Sequence, residues 1–224
     1  MKSNLEIACF NLASAKIAAN NGADRIEFAS DYKVGGLTPD LDDFAELRNY
    51  TQKPIYILIR EKAGNFIYSE AEIEKMRNDI EQFKKLGADG FVFGCLNEAN
   101  EINLQHNKVL LKASSPLPST FHRAFDEIEN YQKAIDIIKD LGFKNILSSG
   151  GAKTAFLGLE QLQQMKLLAG NSLQIMPGGG IRSSNLGELK SKLLCTFYHS
   201  AGIIDGTETA NADEIKSLKL IGDA

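Results

Sequence analysis

Glu6, Glu27, Arg60 and His122 are ionisable side chains set inside or at the ends of short apolar runs. In RIEFA, residues 25–29, Ile26 and Phe28 share one face of an extended strand, and Arg25, Glu27 and Ala29 share the other. The apolar face must pack on neighbouring elements, which turns Glu27 the opposite way, into the interior of the sheet. The same alternation separates Glu6 from Leu5 and Ile7, Arg60 from Ile55, Ile57 and Ile59, and His122 from Phe121. A charge turned inward costs several kcal/mol unless it is paired or meets water. Two outcomes follow: a structural ion-pair network, for instance Glu27 with Arg60, or a polar pocket.

In a pocket, His122 is a candidate general acid/base, its protonation fixed by a carboxylate such as Glu27 or Asp126, with Glu6 a further inward carboxylate. Arg123 is suited to hold a carboxylate, a phosphate or a sugar hydroxyl. His199 and Ser200, in FYHSA, end the last apolar run, on the same rim as His122. His106 begins a polar helical stretch and is expected in solvent.

Two glycine runs add a second kind of signal. SSGG carries Ser149 and Gly150, and MPGGGI carries Gly178, Gly179 and Gly180. Glycines at strand ends let backbone N–H groups converge on an anion, and a helix starting near Ser184 adds its positive end. A tight turn that needs positive φ explains the same residues equally well. The ligand implied is small and polar or anionic.

The elements that must position these residues alternate along the chain. Candidate strands are 5–9, 25–29, 54–60, 90–93, 119–123, 145–148, 173–176 and 196–199. Helical patterns fill 13–20, 41–49, 70–86, 104–113, 131–141, 156–169 and 184–191. The third helix is the most legible: Ser69 and Glu72 form a capping box, and Ile73, Met76, Ile80 and Phe83 trace one stripe. Helix–glycine–strand joints recur as GADRIEF, GADGFVF and GFKNILS. Eight strands joined through helices predict a TIM (β/α)8 barrel forming one domain over residues 1–224, with an open doubly wound sheet as the alternative. In a barrel, the strand ends carrying His122, Arg123 and Asp126 lie on the face where chemistry is placed.

The 224 residues are 43% hydrophobic and 24% charged, with a formal net charge of −4, so there is no basic footprint for nucleic acid. No apolar stretch is long enough for a membrane helix, and MKSNLEIACF lacks the apolar core of a secretory leader. Cys9, Cys95 and Cys195 lie too far apart for a zinc motif or a disulfide framework, which points to a reducing cytoplasm.

Segments GADRIEFAS, GGLTPD, LGADGFVFG, TFHRAFD, SSGGA, MPGGGIR and FYHSA, in this order, resemble the CutC family of copper homeostasis proteins over about residues 5–201. The resemblance implies a TIM barrel, a cytoplasmic location, copper as the bound metal and a homodimer or higher homo-oligomer. It places one metal thiol at Cys9. The family's second cysteine, in an ELCS segment, is Ala29 here, and Cu(I) favours at least two soft ligands. The family's basic C-terminal tail is replaced by residues 202–224, so the rim near the last strand is expected to differ.

Overall fold

Gly22, Gly87 and Gly142 take φ of +113°, +94° and +96°, the left-handed turn by which each of three helices hands over to a strand. The computed structural model describes residues 2–224 and repeats this helix-to-strand step around a barrel. The first half runs β1 Asn4–Cys9, α1 Leu12–Asn20, β2 Arg25–Phe28, α2 Leu41–Tyr50, β3 Ile55–Leu58, α3 Glu70–Lys85, β4 Gly90–Phe93 and α4 Leu104–Ser114. The second runs β5 Ser119–Phe121, α5 Tyr131–Leu141, β6 Asn145–Ser148, α6 Leu159–Ala169, β7 Gln174–Pro177, α7 Ser183–Lys192, β8 Phe197–Ser200 and α8 Ala212–Asp223. Every ladder is parallel, in the order β7-β6-β5-β4-β3-β2-β1-β8, so β1 is paired on both sides and the sheet curls into a nearly closed TIM barrel. The seam between β7 and β8 is spanned at its top by the Ser200 hydroxyl donating to the Ile181 carbonyl at 2.7 Å.

Alternation divides the strands as the pattern requires. Ile7, Ile26, Phe28, Ile55, Ile57, Phe91, Phe93, Phe121 and Ile146 join the helices in one continuous apolar core. The barrel interior is different: its apolar filling is the small cluster Ala29, Tyr56, Leu58 and Val92, with Phe10 packed against it, and the side chains of Ala8, Leu147 and Met176. Polar and charged side chains take the rest of the inner layers, among them Glu6, Arg25, Glu27, Thr120, Asn145 and His199, all buried. Asn145 Nδ2 donates to Thr120 Oγ1 at 3.0 Å, satisfying one such pair.

The main departures from the sequence pattern are at β5, α6 and the C-terminus; β3, expected over 54–60, also ends early, at Leu58, which leaves Arg60 on the following loop. The strand expected to run to Arg123 stops at Phe121, because His122 caps a 3-10 turn over Arg123–Glu127. The helix expected from residue 156 begins at Leu159. Residues 202–224, expected only as an atypical tail, hold α8: Asn211 accepts from the Asp213 and Glu214 amides, and Ile215 and Leu218 are fully buried. That helix closes the outer ring, with Gly222 accepting from the Ser3 amide and from Lys190 Nζ.

Candidate functional site

Above the inner layers lies a cavity of about 300 Å³, open on the C-terminal side of the strands. Its lining includes Glu27, Leu58, Arg60, Phe66, His122, Arg123, Gly179, Gly180, His199 and Ser200. A larger surface groove of about 620 Å³ is edged by exposed Asn100, Glu101 and Lys133 and gathers no buried charge.

The floor is built by strand register. Glu6 lies opposite Arg25 of β2 and opposite His199 of β8, so one buried carboxylate meets a cation from each neighbouring strand. Arg25 Nε donates to Glu6 Oε2, and Glu6 Oε1 and His199 Nδ1 are 2.7 Å apart. The Arg25 guanidinium is also stacked between the rings of Tyr56 and Phe197, 4.2 and 4.1 Å from their centroids. Burial opposes ionisation of Glu6, but the Arg25 charge and the His199 hydrogen bond outweigh it and hold its pKa below the usual carboxylate value.

Glu27 completes a cluster in which ligand atoms of Glu6, Glu27 and His199 all lie within 4.8 Å of one another. Its Oε2 is buried without a partner. Burial raises the Glu27 pKa to about 7, only partly offset by the His199 charge. Burial works against a charged His199, yet the Glu27 and Glu6 carboxylates prevail and raise its pKa. A carboxyl near its midpoint at neutral pH beside a proton-holding imidazole is an acid/base pair.

The expected partners of His122 and Arg60 are not the ones found. Arg60 makes no ion pair with Glu27; its Nη atoms donate to the carbonyls of Val34, Gly36 and Gly64 at 2.9, 3.1 and 2.9 Å. This ties the loop after β2 to the loop after β3. No carboxylate bonds His122. Its Nδ1 accepts from the Ala124 amide at 3.3 Å, and its Nε2 is buried without a partner. Burial, and then the Arg60 charge, depress its pKa to about 3, so the ring is neutral at physiological pH. His106, expected in solvent, is buried and bonded to Asn103 and Glu70.

The SSGG turn and the start of α7 each hold one of the protein's own carboxylates. Asp126 accepts from the Ser149 and Gly151 amides at 3.1 and 3.2 Å, from the Ser148 and Ser149 hydroxyls, and from Arg123 Nε at 2.8 Å. It therefore organises the SSGG turn and aims Arg123, instead of facing the cavity as an acid or base. Gly150 serves the turn: its φ is +72°, its amide donates to Ser148 Oγ, and a Cβ there would meet the Gly158 carbonyl at 2.4 Å. At α7, Glu214 accepts from the Ser183 amide and hydroxyl. The Gly178 amide is bonded to the Ser148 carbonyl, which leaves Gly179 and Gly180 on the cavity wall beside Arg123.

The sequence expectation missed Arg25, although it shares the inward phase of Glu27. The metal expectation also changes. Cys9 shares the outward phase of Leu5 and Ile7; its thiol is fully buried in the outer core, 3.6 Å from the Ile7 carbonyl, and burial pushes its pKa well up. It does not face the cavity, where the clustered donors are two carboxylates and an imidazole, with Glu6 already held by Arg25 and His199. That set lacks the soft sulfur Cu(I) selects, so these residues do not fit a Cu(I) centre.

A family model described as the CutC family matches residues 3–204. A Glaesserella parasuis protein named as a CutC family protein is 40% identical over 216 residues, which is 96% of this chain and 88% of that one. The copper homeostasis protein cutC homolog of Homo sapiens is 37% identical over 195 residues, 87% of this chain and 71% of that one. The crystal structure of a putative copper homeostasis protein CutC from Streptococcus agalactiae aligns with a TM-score of 0.85 at 28% identity, covering 90% of this chain and 99% of that chain. With the match running through every strand that builds the cavity, this chain belongs to the CutC family of copper homeostasis proteins.

Proposed function

We propose that this CutC-family barrel binds a small anionic metabolite in the cavity and transfers a proton on it, with Glu27 and His199 as the exchanging groups. The observation that carries this reading is the unpartnered Glu27 carboxyl, buried within 4.8 Å of Glu6 and His199 at the cavity floor. Glu6 and Arg25 act beneath it as a fixed ion pair that orients His199. Arg123 and the exposed turn at Gly179 and Gly180 supply the attraction for the ligand's anionic end. A cavity of about 300 Å³ is at the low end of the ~300–1,000 Å³ range for ligand sites, which suits a metabolite rather than a polymer. Three free cysteines suit a reducing, cytoplasmic setting.

The test is a titration followed by NMR of the protein labelled with 13C at glutamate side-chain carboxyls. One signal, absent from Glu27→Gln, is expected to titrate near pH 7. If every carboxyl titrates below pH 5.5, the proton-transfer reading is wrong.

The relatives' named role in copper homeostasis makes a second measurement worthwhile. Because Cys9 lies outside the cavity, Cys9→Ala is expected to bind Cu(I) no more weakly than the wild type, as measured by competition with a chromogenic Cu(I) chelator under reducing conditions. Tight binding abolished by Cys9→Ala would restore the thiol site.

A further inference from the structure

The wall opposite Glu27 narrows the chemistry further, given the proton-transfer reading above. His122 follows β5 and Glu27 sits on β2, three strands away around the barrel, with the cavity between them. Because His122 Nδ1 accepts from the Ala124 amide, the single proton of the neutral ring belongs on Nε2. That N–H is buried without an acceptor. Phe66 lies against both the His122 ring, at 4.7 Å between centroids, and the Arg60 guanidinium, at 4.8 Å. Phe66 thus shields a fixed neutral donor backed by a fixed positive charge.

The cavity is equally informative in what lines it. Among the described residues, its lining has no lysine for a Schiff base and no thiol. Of its two hydroxyls, at Tyr32 and Ser200, that of Ser200 already donates to the Ile181 carbonyl. These walls therefore offer a base on one side and a neutral hydrogen-bond donor on the other, with Arg123 among the lining residues. A base facing a donor across a small compound is the arrangement for removing a proton next to a carbonyl.

We propose that the ligand is a small ketone or aldehyde carrying an anionic group, with Glu27 exchanging its α-proton and His122 Nε2–H receiving its carbonyl oxygen. The Glu27 carboxylate takes the proton from the α-carbon. The C–H electron pair becomes the new C=C bond, and the carbonyl π pair moves onto oxygen as an enolate. His122 Nε2–H and the nearby Arg60 charge stabilise that oxyanion, and a neutral imidazole does so without first giving up its proton. Return of a proton from Glu27 to the α-carbon re-forms the C=O bond and completes the exchange, with no other reactant consumed. Binding shifts the Phe66 side chain off the His122 ring, so that the donor becomes reachable.

The experiment uses the full chain in D2O with two probes, dihydroxyacetone phosphate and levulinate, and their reduced counterparts, glycerol 3-phosphate and 4-hydroxypentanoate. Loss of α-C–H signals is followed by 1H NMR, and binding of all four by calorimetry. Wild-type protein is expected to speed α-exchange of at least one ketone tenfold or more over buffer. Glu27→Gln abolishes this. His122→Phe lowers kcat a hundredfold or more with KM changed less than threefold, and His122→Gln, which keeps an N–H donor, retains part of the rate. The 15N signals of His122 should show the Nε2–H form and shift when the ketone binds; circular dichroism of each variant checks folding. If the reduced compounds bind and Arg123→Gln weakens them while both ketones exchange only at the buffer rate, the carbonyl proposal is overturned and the anionic-ligand reading stands. If none of the four binds, both fall.

Discussion

Glu6→Gln lowers the free energy of unfolding by ~3–5 kcal/mol at pH 7, the cost expected when one partner of a buried ion pair is removed and the other stays behind. The size of the effect comes from Arg25. Its side chain is 7% exposed, and among the described residues Glu6 is its only carboxylate partner within ion-pair distance; Met176 Sδ and two aromatic faces pack around the guanidinium. His199 loses its Nδ1 partner in the same substitution. Pairing Glu6→Gln with Arg25→Met removes the stranded cation and is expected to recover at least half of the loss, since an apolar replacement of a buried pair is often neutral or better. Urea denaturation of the wild type, both single variants and the double variant gives the coupling energy directly. A loss below 1 kcal/mol for Glu6→Gln would mean that water or a ligand reaches Arg25.

The inward turn of Glu6, Glu27 and His122 was legible because strand alternation needs only local sequence. Arg25 obeys the same rule, in phase with Glu27, yet it begins its strand at the N-terminal end, away from the rim where chemistry is expected. What local sequence does not contain is register. That Glu6 faces both Arg25 and His199 follows from β1 pairing with β2 on one side and with β8, nearly 200 residues later, on the other. Without barrel closure, Glu27 with Arg60 on the adjacent strand is an equally reasonable pair. The structure rejects it because Arg60 is drawn to three loop carbonyls instead.

The glycine runs show the limit of reading motifs in isolation. SSGG does converge its amides on an anion, as its composition suggests, but the anion is the side chain of Asp126. Asp126 reaches it because the chain leaves β5 early and winds a 3-10 turn, a choice made when the His122 ring accepts from the Ala124 amide. Helix α8 was legible in principle, with Asn211 as cap, acidic residues in the first turn and Ile215, Leu218 and Ile221 spaced on one face. Departure from the family pattern in residues 202–224 made this segment look like a tail. The resemblance also pointed to Cys9, whereas the phase it shares with Leu5 and Ile7 places it outside the barrel.

Glu27→Gln separates a proton held by the fold from one held only on paper. In the unfolded chain this carboxyl ionises around its ordinary 4.5; in the folded protein burial raises it to about 7. A raised pKa means that the native state keeps a proton the unfolded chain has released. The associated stability is fully present below pH 4.5 and is lost as pH rises through 7. The shift corresponds to about 3 kcal/mol at 1.36 kcal/mol per pKa unit. His199 adds to the same slope, because its raised pKa makes the folded state retain a second proton above the ordinary 6.5. Glutamine cannot ionise, and without the Glu27 charge His199 keeps its proton less firmly, so the variant's stability is flatter with pH. Chemical denaturation at intervals from pH 4.5 to 7.5 should therefore show the variant gaining on the wild type by ~2–3 kcal/mol across that window. A constant difference, flat to within about 0.5 kcal/mol, would show Glu27 ionised throughout. Glu27 would then be a permanent partner of His199, and the cavity floor would have no proton to exchange near neutral pH.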